Sequence, residues 1–206
     1  MNTPSTTLRV AANPAAGIPD GRRERKRYSP CVSEPRKKPV PHSHCDSCGT
    51  PYTVSASWPR TCAACGATAY LNPLPVGVAL LPVTDEQGTA LVVITRTIEP
   101  QRGGVALPGG FVDHTEDWRH AVVRELHEET GIEARAEDVR LADALSSPDG
   151  HLLLFGLLPE RPAGQLPVSE PTDETEGWHL LRAPAELTFP LHTEAVRAWF
   201  AGRYTD

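Results

Sequence analysis

The amino-acid sequence predicts an α/β protein, in which an α/β/α sandwich follows a small four-cysteine module. Apolar segments of strand length alternate with two helical segments, which favours a layered α/β domain. Two Cys-x-x-Cys pairs lie ahead of these segments. The length of 206 residues accommodates one ordinary domain and a smaller module. We therefore expect a tail over residues 1–41, the cysteine module over residues 42–70 and the sandwich over residues 71–206.

The tail is rich in Pro, Ser, Arg and Lys. Residues 1–40 carry nine basic and three acidic side chains, although the whole chain has a formal charge of −6. Such a segment buries too little apolar surface to offset the entropy of ordering, which predicts a disordered basic tail. The alternative is an arm that contacts nucleic-acid phosphates. Because the rest of the chain is acidic, we do not expect the sandwich domain to bind nucleic acid.

Four of the five cysteines form two pairs, Cys45 with Cys48 and Cys62 with Cys65, and each pair is followed by glycine. Two such knuckles predict a zinc ribbon, in which four thiolates enclose a structural Zn²⁺. The alternative is a pair of disulfides, which a reducing cytosol disfavours. Cys31, in the tail, is interpreted as an incidental free thiol.

The location is predicted from two further features of the sequence. The chain has no apolar run of about 18 residues, the length that a membrane-spanning helix needs. Its first residues, MNTPSTTLRVAANPAAG, also lack an apolar signal core. We therefore expect a cytoplasmic protein without a membrane span.

The sandwich domain begins with a predicted hairpin of buried strands around a turn at residues 85–88. A last amphipathic helix is predicted over residues 192–203, where Ala195, Val196, Trp199 and Phe200 share one face. Five strands are predicted in all, over residues 76–83, 90–96, 134–142, 151–158 and 176–181.

Residues 110–132 combine a glycine loop with an acidic helix. Glu125, Glu128 and Glu129 stand at offsets of zero, three and four, so their carboxylates project from one face of a helix. Val122 and Leu126 form a neighbouring apolar face that can pack on a core. Three like charges on one face need a cation, and their oxygens suit Mg²⁺ or Mn²⁺ beside substrate phosphates. The alternative to this metal site is an acidic helix face exposed to solvent.

The same stretch resembles the complete signature of the Nudix hydrolases, known as the Nudix box. It has Gly110, five further residues and then Glu116. After seven further residues it continues with Arg124-Glu125-Leu126-His127-Glu128-Glu129-Thr130-Gly131-Ile132. The resemblance implies the Nudix α/β/α sandwich and hydrolysis of a nucleoside diphosphate linked to another group X.

The resemblance also implies roles for individual residues. By position in the box, the metal ligands are Gly110 (through its carbonyl), Glu125, Glu128 and Glu129. Arg124 resembles the arginine that orients a box glutamate, and Glu116 resembles a structural acid.

The general base is not determined by the box. The candidates are Glu125, Glu128 and an acid from the loop that contains Asp173, Glu174 and Glu176. Arg96 and Arg102 flank the glycine loop and are candidates for binding a substrate phosphate.

A zinc ribbon ahead of a Nudix domain resembles the NADH pyrophosphatase branch and related zinc-bearing members, some of which cleave FAD or ADP-ribose. The Ser-Gln-Pro-Trp type motif of the NADH enzymes is replaced here by ALSSPDG at residues 144–150. We expect a Mg²⁺- or Mn²⁺-dependent pyrophosphatase for ADP-ribose, FAD or an NADH-like dinucleotide. The alternatives are a nucleoside triphosphate pyrophosphatase and a ligand-sensing regulator with a nucleic-acid-binding ribbon. The expected partner is a small nucleotide-derived substrate, and a homodimer is left open.

Overall fold

The computed structural model describes residues 41–53 and 57–204. The predicted tail therefore lies, apart from Pro41, outside the described residues. In the cysteine module, β1 (Arg60–Thr61) pairs antiparallel with β2 (Thr68–Ala69). Gly49 and Gly66 have φ of 72° and 75°, so the chain turns sharply after each pair of cysteines.

Nine strands build the sandwich domain and form two sheets. They are β3 (Leu74–Leu80), β4 (Pro82–Asp85), β5 (Gly88–Arg96), β6 (Val105–Ala106), β7 (Gly109–Phe111), β8 (Arg140–Ser146), β9 (His151–Leu157), β10 (Arg161–Pro162) and β11 (Thr175–Leu181). One sheet has the order β7-β3-β9-β8, with β3 and β9 parallel. The other has the order β10-β4-β5-β11, and β6 pairs with β5.

Two helices cover opposite faces of these sheets, α1 (Trp118–Thr130) and α2 (Pro190–Phe200). The core of the described chain has two hydrophobic clusters, one beside each helix. Successive side chains of β3, and of the residue after it, point alternately into one cluster and the other, because side chains of a strand point to opposite faces. Val78 and Leu80 pack with the α2 side, whereas Ala79 and Leu81 pack with the α1 side. This arrangement confirms the predicted α/β/α sandwich.

The short strands β6, β7 and β10 were not predicted, and the larger differences in boundaries concern three elements. Residues 134–142 do not form one strand, because Ala136–Asp138 is a 3-10 turn and β8 begins only at Arg140. The acids of this turn have low strand propensity, and Glu137 forms an ion pair with Arg135. The predicted strand over residues 76–83 is divided at Leu81, and its two halves join different sheets. Helix α2 begins earlier than predicted, at Pro190, since proline suits the first helical turn.

In the part of the chain that the structure describes, no helix combines the length and the apolar character that crossing a bilayer requires.

Candidate active site

Helix α1 carries the predicted acids, and both its ends are capped. Asp117 accepts a hydrogen bond from the Arg119 N–H at 2.9 Å and is the N-cap. At the other end Gly131 is left-handed, with φ 71°, and donates its N–H to the His127 carbonyl at 2.7 Å. The caps place the carboxylates of the helix against strand β7.

Glu129 is the most deeply buried of these acids, with 3% of its surface exposed. Its Oε2 accepts a hydrogen bond from the Gly109 N–H at 2.8 Å, and its backbone carbonyl accepts one from Thr175 Oγ1 at 2.9 Å. Burial raises the pKa of Glu129 to about 8, and the charges of Glu125 and Glu174 also raise it. An adjacent cation would therefore stabilise the ionised form of this carboxylate.

Glu125 lies directly on the backbone of Gly110. A Cβ atom at Gly110 would be 2.4 Å from Glu125 Oε1 and 2.6 Å from Oε2, so only glycine permits this approach. Burial also raises the pKa of Glu125, while the adjacent Arg124 lowers it. The glycine that the sequence placed at the start of the box thus makes room for a half-buried carboxylate.

Arg124 connects the acids of the helix with the loop before it. Its Nε and Nη2 donate to the two carboxylate oxygens of Glu116, each at 3.0 Å. Its Nη1 donates to Glu125 Oε1 at 2.6 Å and to Glu128 Oε2 at 3.2 Å. Its Nη2 also donates to the Phe111 carbonyl at 3.0 Å. The pKa of Glu116 is lowered by these bonds, so this acid stays ionised and keeps Arg124 in place.

A cleft of about 700 Å³ opens over this part of α1. It brings together most of the residues that the sequence singled out: Arg96, Gly110, Arg124, Glu125, Glu128, Glu129, Asp173 and Glu174. Two candidates do not line it, because Arg102 is exposed on the loop after β5 and Glu176 is exposed on β11.

Sequence reasoning missed Glu99, Asp113 and Thr172, which also line the cleft. These residues lie in loops that have no hydrophobic period, and the folded sheet alone brings them close to α1. A signal for Asp113 was its position inside the box, three residues before Glu116.

The carboxylates of the cleft suit a hard divalent cation in their chemistry. The ligand oxygens of these carboxylates do not lie as close together as the sulfur atoms of the cysteines. Among the described residues, only the four-cysteine cluster has ligand atoms that all lie within 4.8 Å of one another. Arg124 engages Glu125 and Glu128 in this structure, so a bound cation and Arg124 would share these two carboxylates.

The four cysteines of the ribbon have the spacing of a tetrahedral thiolate site. Cys45 Sγ lies 3.7 Å from Cys65 Sγ, and Cys48 Sγ lies 3.6 Å from Cys62 Sγ. Zn–S bonds of about 2.3 Å in a tetrahedron place sulfurs about 3.8 Å apart, which agrees with these distances. All four are free thiols, so the disulfide alternative is wrong. Backbone N–H groups of Cys48 and Ser47 lower the pKa of Cys45 to about 6, which favours the thiolate.

Comparison with known proteins agrees with this geometry. The NUDIX domain profile matches residues 73–200, and the chain belongs to this family. An ADP-ribose pyrophosphatase of Methanocaldococcus jannaschii is 34% identical over 103 residues, which are 48% of this chain and 60% of that protein. The NAD-capped RNA hydrolase NudC of Stutzerimonas stutzeri is 26% identical over 146 residues, 70% of this chain and 50% of that protein. The chain thus spans only 50 to 60% of the length of these relatives.

The fold is also found in solved structures. A NUDIX hydrolase from Nitrosomonas europaea superimposes with a TM-score of 0.57 at 21% identity. The match covers 78% of this chain and 92% of the other, so it includes nearly the whole of that protein.

Proposed function

We propose that this protein is a pyrophosphohydrolase that depends on Mg²⁺ or Mn²⁺ and cleaves a nucleoside diphosphate linked to X. The observation that carries the proposal is the pair of carboxylates of half-buried Glu125 and buried Glu129, held against the glycine backbone in a cleft that also holds Arg96. Charged groups that are costly to bury are characteristic of functional sites. The named relatives support ADP-ribose or an NAD-like dinucleotide as the substrate class.

In this proposal the metal is held by Glu125, Glu128, Glu129 and the Gly110 carbonyl. When bound, the cation would neutralise charge on the diphosphate oxygens and would lower the pKa of a water molecule. Arg124 positions Glu125 and Glu128 through the bonds described above. The Zn²⁺ of the ribbon, held by its four cysteines, is structural because a closed thiolate shell leaves no place for water.

The general base in this proposal is Glu174. Arg124 already binds the carboxylates of Glu125 and Glu128. Glu174 lines the cleft from the opposite loop, and its backbone carbonyl accepts a hydrogen bond from the Thr97 N–H at 2.8 Å. Glu174 accepts the proton of the attacking water, and the water oxygen forms a new bond to phosphorus. The anhydride P–O bond breaks, and the bridging oxygen leaves as part of the second phosphate. The products are a nucleoside monophosphate and a phosphorylated X.

Arg96 is positioned to bind the diphosphate. Its guanidinium lines the cleft and is held by a bond from Nε to the Pro100 carbonyl at 3.2 Å. Its charge also lowers the pKa of Glu129, although burial outweighs this effect. Arg102, exposed and outside the cleft, is not included in this role.

Several predictions from the sequence are retained in the proposal. The chain comprises the tail over residues 1–41, the ribbon over residues 42–70 and the Nudix domain over residues 71–206, with the box at residues 110–132. A homodimer and a cytoplasmic location stay predictions. Nucleic acid is not a proposed partner.

The test is hydrolysis of ADP-ribose, FAD, NADH, NAD, UDP-sugars and nucleoside triphosphates, with and without Mg²⁺ or Mn²⁺, read by phosphatase-coupled phosphate release. We expect metal-dependent turnover that is greatest for one dinucleotide or for ADP-ribose. A preference for nucleoside triphosphates would show that they, and not dinucleotides or ADP-ribose, are the substrate class. No turnover with metal present would refute the proposal.

Glu129→Gln provides the matched variant. The neutral amide can still accept the Gly109 N–H and carries no charge, so the metal-free protein should unfold at the same temperature or higher. Turnover and the metal-induced rise in Tm should both be lost, because a cation no longer has this ligand. Glu194→Gln, on the exposed side of α2, is the control and should behave as wild type. Near-normal turnover in Glu129→Gln would show that the metal assignment is wrong.

A further inference from the structure

A second cavity of about 380 Å³ lies next to the catalytic cleft. The two share Arg96, Pro100, Gly109, Gly110 and Phe111 in their walls, so they adjoin each other. A substrate whose diphosphate lies over the acids of α1 can therefore extend one of its ends into the second cavity. We call this cavity the ring pocket, after the rings of Phe111, His151, Phe189 and His192 that line it.

The aromatic walls of the ring pocket suit a flat ligand. The ring centroids of Phe111 and His151 are 5.7 Å apart, and Phe111 is 54% exposed. Phe189 also lines the cavity, and its ring centroid is 5.1 Å from that of His192. Faces and edges of aromatic rings provide contact area for another planar ring.

His192 adds a polar group to the pocket, and the structure indicates which of its ring nitrogens donates and which accepts. The residue is 5% exposed, and its Nδ1 accepts a hydrogen bond from the Leu107 N–H at 3.2 Å. Burial and, to a smaller extent, the charge of Arg96 together lower the pKa of His192 to about 3, so the ring is neutral. Since Nδ1 accepts, the proton lies on Nε2, which can only donate.

The Nε2–H group has no acceptor among the described residues. It is not sealed in the core either. In the described part of the chain, Trp178 Nε1 is the one fully buried side-chain nitrogen or oxygen atom without a hydrogen-bond partner. His192 Nε2 has no partner either, so it is not fully buried. His192 Nε2 therefore keeps access to the cavity that its ring lines, and it is a nearly buried donor available to a ligand.

Arg96 stands at the junction of the two cavities. Its guanidinium carbon lies 5.4 Å from the centre of the Phe189 ring, a cation–π contact that holds the side chain between cleft and pocket. A diphosphate bound to Arg96 would have the acids of α1 on one side and the ring pocket on the other. This order of acids, Arg96 and ring pocket matches a molecule in which a ring follows the diphosphate through a linker.

We propose that the ring pocket binds a planar aromatic heterocycle of the substrate, and that His192 determines specificity by donating Nε2–H to a ring nitrogen or carbonyl. This inference rests on the function proposed above, since the shared walls make the pocket part of one substrate site. The heterocycle could belong to an adenine, a flavin or a nicotinamide moiety, all of which present such acceptors. His192 is a specificity residue in this scheme and does not take part in the chemical step.

The experiment measures binding of monophosphates, which cannot be hydrolysed at an anhydride bond. AMP, FMN, nicotinamide mononucleotide and the ring-free ribose 5-phosphate are titrated by calorimetry into wild-type protein in Mg²⁺. At least one ring-bearing ligand should bind at least tenfold more tightly than ribose 5-phosphate, and its identity distinguishes the three sources. Equal affinity for all four ligands would overturn the proposal.

Two substitutions of His192 separate a role in binding from a role in folding. In His192→Asn the amide oxygen can still accept the Leu107 N–H, but nothing replaces the Nε2 donor. In His192→Gln the longer side chain places its NH₂ near the former Nε2, whereas the Leu107 N–H loses its acceptor. His192→Asn should keep its Tm and lose the tenfold preference, and His192→Gln should show a lower Tm and keep most of the preference.

The matched control is His179→Asn on strand β11, where the histidine is exposed. It should leave both Tm and the binding preference unchanged. Wild-type affinity for the ring-bearing ligand in His192→Asn would overturn the role of His192. The binding measurement does not require turnover. A protein that binds the ring-bearing ligand through His192 but hydrolyses no diphosphate would therefore refute the proposed function and leave the ring pocket in place.

Discussion

Replacing Gly110 with alanine tests how closely the carboxylate of Glu125 is positioned. The new Cβ would lie 2.4 Å from Glu125 Oε1 and 2.5 Å from its Cδ, against about 3.5 Å for an ordinary contact. One of the two groups must move by about 1 Å, and the carboxylate moves more easily because it is the far end of a side chain. A shift of about 1 Å in a catalytic group costs on the order of 10²-fold in rate. We therefore expect Gly110→Ala to retain its fold and lose about 99% of kcat.

The assay is steady-state hydrolysis of the best substrate over a range of Mg²⁺ concentrations, together with thermal unfolding. Gly164→Ala is the matched control, because a Cβ at that position has no atom within 4 Å, and it should keep wild-type kcat. Gly109→Ala is the contrasting variant. Its Cβ would lie 2.5 Å from the Gly77 carbonyl oxygen, so strand β7 must separate from β3 and Tm should fall. If Gly110→Ala keeps kcat within twofold of wild type, the position of the Glu125 carboxylate does not limit the reaction.

Three further predictions concern the ion pairs, the ribbon and the core. Arg124→Lys should lower kcat by about ten- to hundredfold, because an ammonium cannot hold Glu116 and Glu125 in the planar fork that the guanidinium makes; kinetics that match wild type would contradict this. Cys62→Ser should reduce bound zinc from one ion per chain to almost none, measured by elemental analysis, and full zinc content in this variant would exclude the four-thiolate site. Gly156→Ala should destabilise the fold by about 1–3 kcal/mol in chemical denaturation, because its Cβ would lie 2.7 Å from Val139 Cγ1 and 3.0 Å from Val122 Cγ1. Unchanged stability would show that α1 can move away from β9 at little cost.

The parts of the site that lie on one helix were predictable from sequence spacing. The offsets of Glu125, Glu128 and Glu129 define one face whatever the rest of the protein does, because the helical period is a local property. Gly131 ends the helix, since a left-handed residue at that position favours glycine.

The long apolar strands were predictable in order for the same kind of reason, but the short strands β6, β7 and β10 and the division of the strands between sheets were not. The apolar run from residue 76 to residue 83 has no internal signal stronger than Pro82. Whether the chain continues in one sheet or crosses to another depends on partners far away in sequence, here β9 for the first half and β5 for the second. Pairing between distant segments is decided by packing of the whole domain.

The opposite outcomes for Arg96 and Arg102 show the same limit. Both flank the glycine loop in sequence, yet Arg96 ends β5 and lines the cleft, while Arg102 lies exposed in the following turn. The direction of a side chain at the end of a strand follows from the register of that strand.

The sequence by itself determined the class of fold, the acidic face of α1 and the four-cysteine ribbon, because each depends on spacing along a single segment. Only the tertiary structure decided which loops meet that face, and it brought Glu174 across the cleft from Glu129. It also placed His192 as a buried donor beside the cleft. Local geometry repeats with the period of the backbone, whereas contacts between distant segments exist only once the core has packed.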